Sequence, residues 1–353
     1  MRRRDVVTGA LALGGCASLG GAPLHARRPL VIGHRGCAGE RPEHTMASYR
    51  RAIAQGADYI EPDLVVTKDG VLVCRHENNI ADTTDVAAHP EFATRRATKV
   101  VDGERITGWF VEDFTLAELK TLRAKERLPQ LRPANAAFDG QEGIPSFAEA
   151  YALAHQHGVG IYPELKHPTF LAQAGLDPVP IFVAAVRALG GQAAADRMFV
   201  QCFEVGALVQ LAVMSSIRWT SIQLMEAHGG PWDRRDVSYA SMNSDDGLRA
   251  IREYAAGIGV EKAMVVPRDA NQRSLPPTDL VARAHRVGLV VHAWTFRAEN
   301  YFLPLELRRG DASAADYPRQ HGDIAAELRA FYALGVDGVF CDFPDLAVAA
   351  RNR

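Results

Sequence analysis

Short apolar runs alternate with amphipathic segments along most of the chain, and polar residues close each run. The apolar runs predict strands that begin at Leu30, Tyr59 and Gly160, and five further strands at 198–203, 218–224, 257–260, 289–295 and 338–342. Amphipathic periodicity predicts a helix after the first strand, and others at 146–157, 178–189, 205–214, 246–256, 278–287 and 323–334. Strands that alternate with helices in this way predict a parallel sheet covered by helices.

Eight strands of this kind predict an α/β fold, specifically a closed (β/α)8 TIM barrel. Residues 71–76 follow a Lys68-Asp69-Gly70 turn and predict an additional return strand after the second strand. A chain of 353 residues, 47% of them hydrophobic, is long enough to bury such a core within one domain. We therefore expect a single barrel over residues 27–353.

Residues 78–145 interrupt this regular pattern with scattered charges and several prolines. Regularity returns at Ser146, where Ser146 and Glu149 have the spacing of a helix capping box. We expect an insertion at about 78–145, after the strand that ends at His76. Insertions at one end of a barrel commonly cover an active site.

Residues 1–26 have the character of an export signal. Arginines at positions 2–4 precede an apolar, glycine-rich run that is too short to predict a membrane span. The arginines fit a twin-arginine signal, with an ordinary secretory signal as the alternative. Residues 13–16 resemble a lipoprotein cleavage box that would lipidate Cys16, whereas the alternative is cleavage near Ala26. We expect an exported protein of the periplasm or cell envelope, attached to a membrane only through such a lipid.

Charge and cysteine content exclude some functions. The net charge is -2 and no long basic run is present, so nothing indicates a nucleic-acid partner. No cysteines are spaced as C-x-x-C, which disfavours a zinc cluster. In a closed barrel the first and last strands are neighbours, so a Cys37–Cys341 disulfide is one interpretation. The other is that Cys37, Cys74, Cys202 and Cys341 are small buried residues.

Charged pairs occur at alternate positions of two predicted strands, where the side chains point to one face. Glu61 and Asp63 form one pair, and Glu164 and Lys166 form the other. Charges that point into a barrel need partners or a metal ion. The three carboxylates predict a site for Ca²⁺ or Mg²⁺, which prefer oxygen ligands. The alternative is that they are solvated, or paired with Lys166 and Arg35.

Two histidines, His34 and His76, follow strands and lie beside these carboxylates in the predicted barrel. Imidazole donates or accepts protons near neutral pH, so they are candidates for acid–base catalysis. Arg35 and Lys166 are suited to hold an anion. This combination suits phosphoryl transfer. We interpret seven other histidines as structural or superficial: His25, His89, His155, His157, His228, His285 and His321.

The ordered set of motifs resembles the glycerophosphodiester phosphodiesterase family over nearly the whole chain after residue 26. The motifs are Gly33-His34-Arg35-Gly36, Pro42-Glu43-His44-Thr45, Glu61-Pro62-Asp63, Lys68-Asp69-Gly70, the strand ending at His76, Tyr162-Pro163-Glu164-Leu165-Lys166, Gln201-Cys202-Phe203, Trp294-Thr295 and Asp342-Phe343-Pro344. Each motif alone is weak, but the set in this order is highly specific. The resemblance implies the barrel, the insertion and hydrolysis of a glycerophosphodiester to an alcohol and sn-glycerol 3-phosphate.

The resemblance also implies roles for individual residues. It places a metal ion at Glu61, Asp63 and Glu164. This ion is often Ca²⁺, and Mg²⁺ is the alternative. It makes His34 and His76 the general acid and base, without assigning which is which. It makes Arg35 and Lys166 phosphate contacts, keeps Glu43 close to them and places Trp294 at the substrate. The glycerol 2-hydroxyl would attack phosphorus, and water would then open the cyclic phosphate.

The chain departs from the family pattern at His44, Glu77 and Cys37, which puts the substrate preference in doubt more than the activity. One alternative is therefore action on larger glycerophosphodiesters such as lysolipids or wall polymers, with loops around Trp109 and Trp294 shaping the alcohol pocket. A second is a non-catalytic barrel that binds phosphodiesters or partners. A third is a glycosidase that uses two glutamates, which leaves the histidines unexplained.

Overall fold

A computed structural model describes residues 28–352, which contain an eleven-stranded sheet, a separate β-hairpin and flanking helices. The strands are β1 Leu30–Gly33, β2 Tyr59–Ile60, β3 Asp63–Val66, β4 Leu72–Cys74, β5 Ala97–Val101, β6 Glu104–Gly108, β7 Gly160–Ile161, β8 Glu164–Leu165, β9 Val200–Cys202, β10 Ser221–Met225, β11 Gly257–Glu261, β12 Val290–Phe296 and β13 Gly338–Cys341. The predicted α/β class is confirmed by the alternation of these strands with helices.

The α-helices are α1 Met46–Ala54, α2 Leu116–Leu119, α3 Phe147–Gln156, α4 Pro168–Gln173, α5 Pro178–Ala188, α6 Gln192–Ala195, α7 Val205–Met214, α8 Tyr239–Met242, α9 Asp245–Arg252, α10 Lys262–Val265, α11 Leu280–Arg286, α12 Ile324–Ala333 and α13 Pro344–Arg351. Helix α3 begins at a complete capping box, in which Ser146 and Glu149 each bond the other's backbone N–H. Each predicted helix range coincides with an observed helix to within about four residues. No helix among the described residues is long and apolar enough to cross a membrane.

The sheet is parallel except at one edge. Its pairing order is β4-β3-β8-β9-β10-β11-β12-β13-β1-β2-β7, and β4 pairs antiparallel with β3. The predicted return strand is therefore present. Strand β1 pairs with both β2 and β13, so the beginning and the end of the described chain meet in the middle of the sheet.

Two predicted strands are each interrupted at a proline. Pro62 separates β2 from β3, and Pro163 separates β7 from β8. Proline has no N–H to donate, so the ladder breaks where it occurs. The parts remain in register, because Tyr59 pairs with Gly160 and Asp63 pairs with Glu164. The acidic residues of both predicted strands therefore lie at these interruptions.

The apolar core lies on both surfaces of the sheet. Two large clusters fill the space between the sheet and the helices. A smaller cluster contains Ile32, Tyr162, Phe199, Ile222, Val290 and Phe340. Within it the rings of Tyr162 and Phe199 stack at 5.0 Å, and the Tyr162 hydroxyl lies 2.7 Å from His292 Nδ1. Burial lowers the pKa of His292 to about 4, so this histidine is a neutral part of the core.

The segment between β4 and α3 has its own structure. It contains the β5–β6 hairpin, helix α2 and 3₁₀ turns at Val86–Ala88, Pro90–Arg95, Val111–Asp113 and Asn135–Phe138. Its apolar residues pack with Val65 and Val73 of β3 and β4. Trp109 belongs to this small core, where its Nε1 donates to Phe92 O at 2.7 Å, and does not line the central cavity. The hairpin was not predicted, because its residues alternate weakly.

The four cysteines in the described part of the chain are buried free thiols. Strands β1 and β13 are neighbours as expected, but the Cys37–Cys341 disulfide interpretation is wrong. Cys37 Sγ donates to Gln55 Oε1 and Cys341 Sγ donates to Phe343 O, each at 3.2 Å, so the two side chains have separate partners. The alternative interpretation, four small buried residues, is the one that the structure confirms.

Candidate active site

A cavity of about 470 Å³ opens where the parallel strands end. Eight of the nine predicted site residues line it: His34, Arg35, Glu61, Asp63, His76, Glu164, Lys166 and Trp294. The ninth, Glu43, is buried behind Arg35. The carboxyl ends of parallel strands meet at one edge of a sheet, and this brings together residues that are far apart in the sequence.

Three carboxylates form the floor of this cavity. Oxygens of Glu61, Asp63 and Glu164 lie within 4.8 Å of one another, and all three residues are buried. Burial and the neighbouring Asp63 raise the pKa of Glu61 well above its usual range. Asp63 Oδ1 is buried and has no hydrogen-bond partner among residues 28–352. The cluster therefore has oxygen donors and spare negative charge that fit a divalent cation.

His44 supports this cluster from below. Its Nε2 lies 2.9 Å from Asp63 Oδ2, and its Nδ1 lies 2.9 Å from the Tyr49 hydroxyl. Burial alone would raise the pKa of Asp63, but the bond from His44 outweighs it and lowers that pKa well below the usual range. In the sequence, His44 was recognisable only as part of the Pro42-Glu43-His44-Thr45 motif and as a departure from the family pattern. Its role in holding Asp63 was missed, since nothing in the local sequence indicates it.

His34 forms a buried pair with Asp342. His34 Nδ1 lies 2.6 Å from Asp342 Oδ1. A carboxylate accepts the Nδ1 proton, which leaves Nε2 free to face the cavity. Burial and the charge of Arg35 lower the pKa of His34 to about 4, although Asp342 opposes this. Asp342 belongs to the motif Asp342-Phe343-Pro344, but the sequence alone indicated no role for it. Its position after the last strand was the available signal.

Asp342 is itself held by two arginines. Arg132 Nη2 lies 2.6 Å and Arg297 Nε lies 3.1 Å from Asp342 Oδ2. These two arginines outweigh the effect of burial and keep the pKa of Asp342 well below its usual range. Arg132 also contacts Glu299 at 2.6 Å and belongs to the segment between β4 and α3. Through Arg132, that segment therefore helps to hold Asp342, the carboxylate that pairs with His34.

His76 returns to the cavity on the antiparallel strand β4. Arg75 N donates to Asp63 O, which places His76 level with the carboxylates. His76 Nδ1 lies 2.7 Å from Glu77 Oε1, and Lys166 Nζ lies 3.5 Å from His76 Nε2. Lysine can only donate, so its contact favours an unprotonated Nε2 and a proton on Nδ1, beside the Glu77 carboxylate. Burial, Arg35 and Lys166 lower the pKa of His76 to about 3.

Two cations border the carboxylate cluster. Arg35 Nη1 donates to Glu43 Oε2 at 2.8 Å, and Lys166 Nζ lies 3.1 Å from Glu164 Oε1. Burial opposes their charge, but the nearby carboxylates outweigh it and raise the pKa of both groups. Arg35 has a φ of 55°, and its backbone N donates to Glu61 at 2.7 Å. The tight turn after β1 thus places both Arg35 and His34 in the lining of the cavity.

The outer part of the cavity is aromatic and acidic. Trp294 lies 5.9 Å from Phe203, with the rings edge to face. The rim beyond them is lined by Asp102, Glu204, Glu226, Trp232, Arg235 and Tyr239. This half of the cavity therefore offers apolar surface and negative charge to whatever extends from the carboxylate cluster. Of these rim residues, none was singled out from the sequence.

Two histidine–carboxylate pairs, a carboxylate cluster and two cations in one cavity have the chemistry that hydrolysis of a phosphate ester requires. Comparison with known proteins agrees. Residues 34–346 match the model of the glycerophosphoryl diester phosphodiesterase family, and the chain belongs to that family. The prediction of an enzyme that hydrolyses phosphoric diesters is thereby confirmed.

Relatives span most of the chain. A glycerophosphodiester phosphodiesterase of Arabidopsis thaliana is 39% identical over 335 residues, which cover 91% of this chain and 85% of the relative. One from Treponema pallidum is 26% identical over 367 residues, covering 96% and 94%.

Solved structures share the fold. A putative glycerophosphoryl diester phosphodiesterase from Silicibacter pomeroyi matches with a TM-score of 0.65 at 21% identity, covering 94% of this chain and 98% of that one. An Oleispira antarctica phosphodiesterase, solved in complex with the product sn-glycerol-3-phosphate, matches with a TM-score of 0.60 at 21% identity, covering 94% and 99%.

Proposed function

We propose that this enzyme hydrolyses glycerophosphodiesters to an alcohol and sn-glycerol 3-phosphate. The observation that carries the proposal is one cavity in which His34 and His76, each backed by a carboxylate, flank the Glu61, Asp63 and Glu164 cluster. Family membership supports the substrate class. The product named for the Oleispira antarctica relative is the one that this reaction would release.

The two histidines are proposed to transfer protons. In each, a carboxylate beside Nδ1 favours the tautomer whose Nε2 is free to accept a proton. One imidazole would take the proton of the glycerol 2-hydroxyl as its oxygen bonds to phosphorus, and the other, once protonated, would give a proton to the leaving alcohol. Water would then open the resulting cyclic phosphate to sn-glycerol 3-phosphate. Arg35 and Lys166 would hold the phosphate oxygens, and Glu43 would fix the Arg35 guanidinium. Trp294 would contact the alcohol part of the substrate.

Glu61, Asp63 and Glu164 are proposed to hold a divalent cation, with Ca²⁺ preferred and Mg²⁺ as the alternative. When bound, the cation supplies positive charge beside the substrate oxygens. The unpartnered Asp63 Oδ1 supports this assignment. His44 holds Asp63 in position, and Gln201 Nε2 holds Glu61 by donating a hydrogen bond to its Oε1 at 3.3 Å.

We further propose that the sheet is a closed (β/α)8 barrel, with residues 78–145 as an insertion. Residues 160–165 support closure, because Tyr59 and Gly160 pair on one side while Glu164 and Gln201 pair on the other. An isolated bridge from Ile161 to Met198 adds to this. The insertion then lies after the strand that leads to His76.

Export of the protein is also a proposal, since residues 1–26 lie outside the described residues. It predicts that a fusion of this segment to a reporter reaches the periplasm, and that lysine in place of the arginine pair retains it in the cytoplasm. Incorporation of labelled fatty acid that depends on Cys16 would distinguish a lipoprotein from a freely exported enzyme.

Release of sn-glycerol 3-phosphate from glycerophosphocholine tests the main proposal. The assay is run with Ca²⁺, with Mg²⁺ and with a chelator, alongside His34→Ala and Glu61→Ala. We expect release that requires the cation and that both substitutions abolish. Release that persists in chelator would overturn the role of the cluster. The outer cavity favours a second candidate, a larger glycerophosphodiester, so a lysophospholipid and a poly(glycerol phosphate) are assayed in parallel.

A further inference from the structure

A line of charged side chains runs from the tip of the β5–β6 hairpin to His76. Asp102 at the hairpin turn lies 2.6 Å from His167 Nδ1. His167 Nε2 lies 3.2 Å from Glu77 Oε2, and the other oxygen of Glu77 lies 2.7 Å from His76 Nδ1. Three separate parts of the chain thus meet at the side of His76 that faces away from Lys166. The resemblance assigned no role to His167.

The backbone at His167 is arranged to allow this contact. His167 follows Lys166 directly and has a φ of 46°, in the left-handed region that non-glycine residues rarely adopt. Helix α4 begins immediately after it at Pro168. The left-handed turn directs the imidazole between the β4 end and the hairpin, where the side chain is 16% exposed. A left-handed conformation at a non-glycine residue costs free energy and persists only where the surrounding contacts stabilise it.

Both ring nitrogens of His167 face carboxylates, which is the setting of a charged imidazolium. Burial lowers its pKa, but the bonds to Asp102 and Glu77 outweigh burial and raise the pKa to about 9. The facing charged groups are Asp102, Glu77 and Lys166, with Glu204 close to Asp102. His167 therefore donates from both nitrogens at neutral pH and holds Glu77 in one orientation.

We infer that His167 is a positioning residue for catalysis, which acts through Glu77 to fix the orientation and tautomer of His76. The inference rests on the proposed function, in which His76 transfers a proton. A Glu77 carboxylate free to rotate would remove the negative charge 2.7 Å from Nδ1 of His76, and only the longer 3.5 Å contact with Lys166 would then favour a proton on that nitrogen. The competing role is structural, in which His167 only attaches the hairpin through Asp102.

Two substitutions separate these roles. His167→Asn keeps a donor near the position of Nδ1 and so keeps the Asp102 link, and asparagine tolerates a left-handed φ. His167→Gln places its donor near the position of Nε2 and so keeps the link to Glu77. We expect His167→Asn to lower kcat by about tenfold with little change in KM, while His167→Gln stays closer to the wild type. His157→Asn, at an exposed histidine, is the control.

A double-mutant cycle with Glu77→Gln tests the route of the effect. If His167 acts through Glu77, adding His167→Asn to Glu77→Gln lowers kcat no further. If the losses of kcat in the two single variants instead multiply in the double variant, the inference is overturned. An unchanged kcat in His167→Asn, or a loss of kcat confined to His167→Gln, would also overturn it. Thermal unfolding of each variant shows whether it is folded at the assay temperature.

Nuclear magnetic resonance of the ring nitrogens provides a readout that does not require turnover. We expect the wild type to carry the His76 proton on Nδ1 alone, and His167→Asn to show both tautomers. Identical His76 signals in the two proteins would overturn the inference even if the wild type releases no glycerol 3-phosphate. Lack of release by the wild type would count against the proposed function, and the resonance result would still decide the role of His167.

Discussion

Asp342 Oδ1 lies 2.6 Å from His34 Nδ1, and the two residues are 308 positions apart in the chain. The bond gives His34 one tautomer and offers a negative charge to the imidazolium that would form on proton uptake. Asp342 is in turn buried against Arg132 and Arg297. The reactivity of a residue next to the first strand is therefore set by the last strand.

Substitution Asp342→Asn is expected to lower kcat by about 10³-fold, because an amide can also donate to Nδ1 and would favour the wrong tautomer. The change is measured as the steady-state rate of glycerol 3-phosphate release at saturating cation. Asp345→Asn, three residues on and exposed, serves as the control. A normal kcat in a folded Asp342→Asn protein would show that this carboxylate is not needed.

The acidic limb of the pH profile for kcat/KM is expected to lie well below the ordinary histidine value. Burial and Arg35 lower the pKa of His34 to about 4, and burial also lowers that of His76 to about 3. Lowered pKa values keep the proton-accepting imidazole neutral as the pH falls through 6.5, while protonation of the proton-donating imidazole only increases. We therefore expect no decline of kcat/KM at saturating cation between neutral pH and about pH 5, since this parameter reports the free enzyme. A midpoint near the ordinary histidine value would contradict this.

Binding of Ca²⁺ is expected to stabilise the fold by about 2.7 kcal/mol at a hundredfold excess over Kd. The bound cation would relieve the mutual repulsion of the buried carboxylates, which is seen in the raised pKa of Glu61. Thermal unfolding with and without Ca²⁺ measures the effect as a shift in Tm. Glu61→Gln is expected to remove most of the shift, and the exposed Glu104→Gln to retain it. Equal shifts in all three proteins would place the cation elsewhere.

Substitution Arg132→Ala is expected to lower the free energy of unfolding by about 3–5 kcal/mol, because it leaves Glu299 and Asp342 buried without their main partner. Urea unfolding provides the measurement. The exposed Arg218→Ala is the control, with an expected change of less than about 0.5 kcal/mol. Adding Glu299→Gln to Arg132→Ala should restore part of the loss. An unchanged midpoint in Arg132→Ala would contradict the ion-pair account.

The stability contributed by His167 is expected to disappear at alkaline pH. Its pKa is raised from 6.5 to about 9, so the protonated form is favoured in the folded protein. Such a contribution is complete below the unfolded value and is lost as the pH rises through 9. The difference in Tm between wild type and His167→Asn should therefore shrink over that interval. A difference that grows with pH would show the opposite sign of coupling.

Regular periodicity made most of the fold predictable. Helix α7 was predicted at its observed bounds, and the return strand β4 followed from the turn at Lys68-Asp69-Gly70. The β5–β6 hairpin was missed because its residues alternate weakly, and the short helices α4, α6, α8 and α10 were missed because four to six residues are too few to show a helical period. The proline interruptions at Pro62 and Pro163 were read as parts of continuous strands.

The site was predictable where chemistry lies at strand ends. His34, His76 and the carboxylate cluster lie in one cavity, as expected from converging strand ends and from the motifs. His44 and Arg132 were not predicted, since both act through partners that the sequence does not place nearby. His167 follows Lys166 directly, so the rule that found Lys166 could have found it. Its partner Asp102 depends on a hairpin that was not predicted.

The pairing of β1 with β13 also has a consequence for biosynthesis. Strand β1 leaves the ribosome early, but its register partners begin at Gly338 and the acceptor for His34 is Asp342. A nascent chain can thus form helices and the small hairpin segment while its catalytic centre is still unassembled. Hydrolytic activity should therefore arise late and in a single step, once synthesis has passed Asp342.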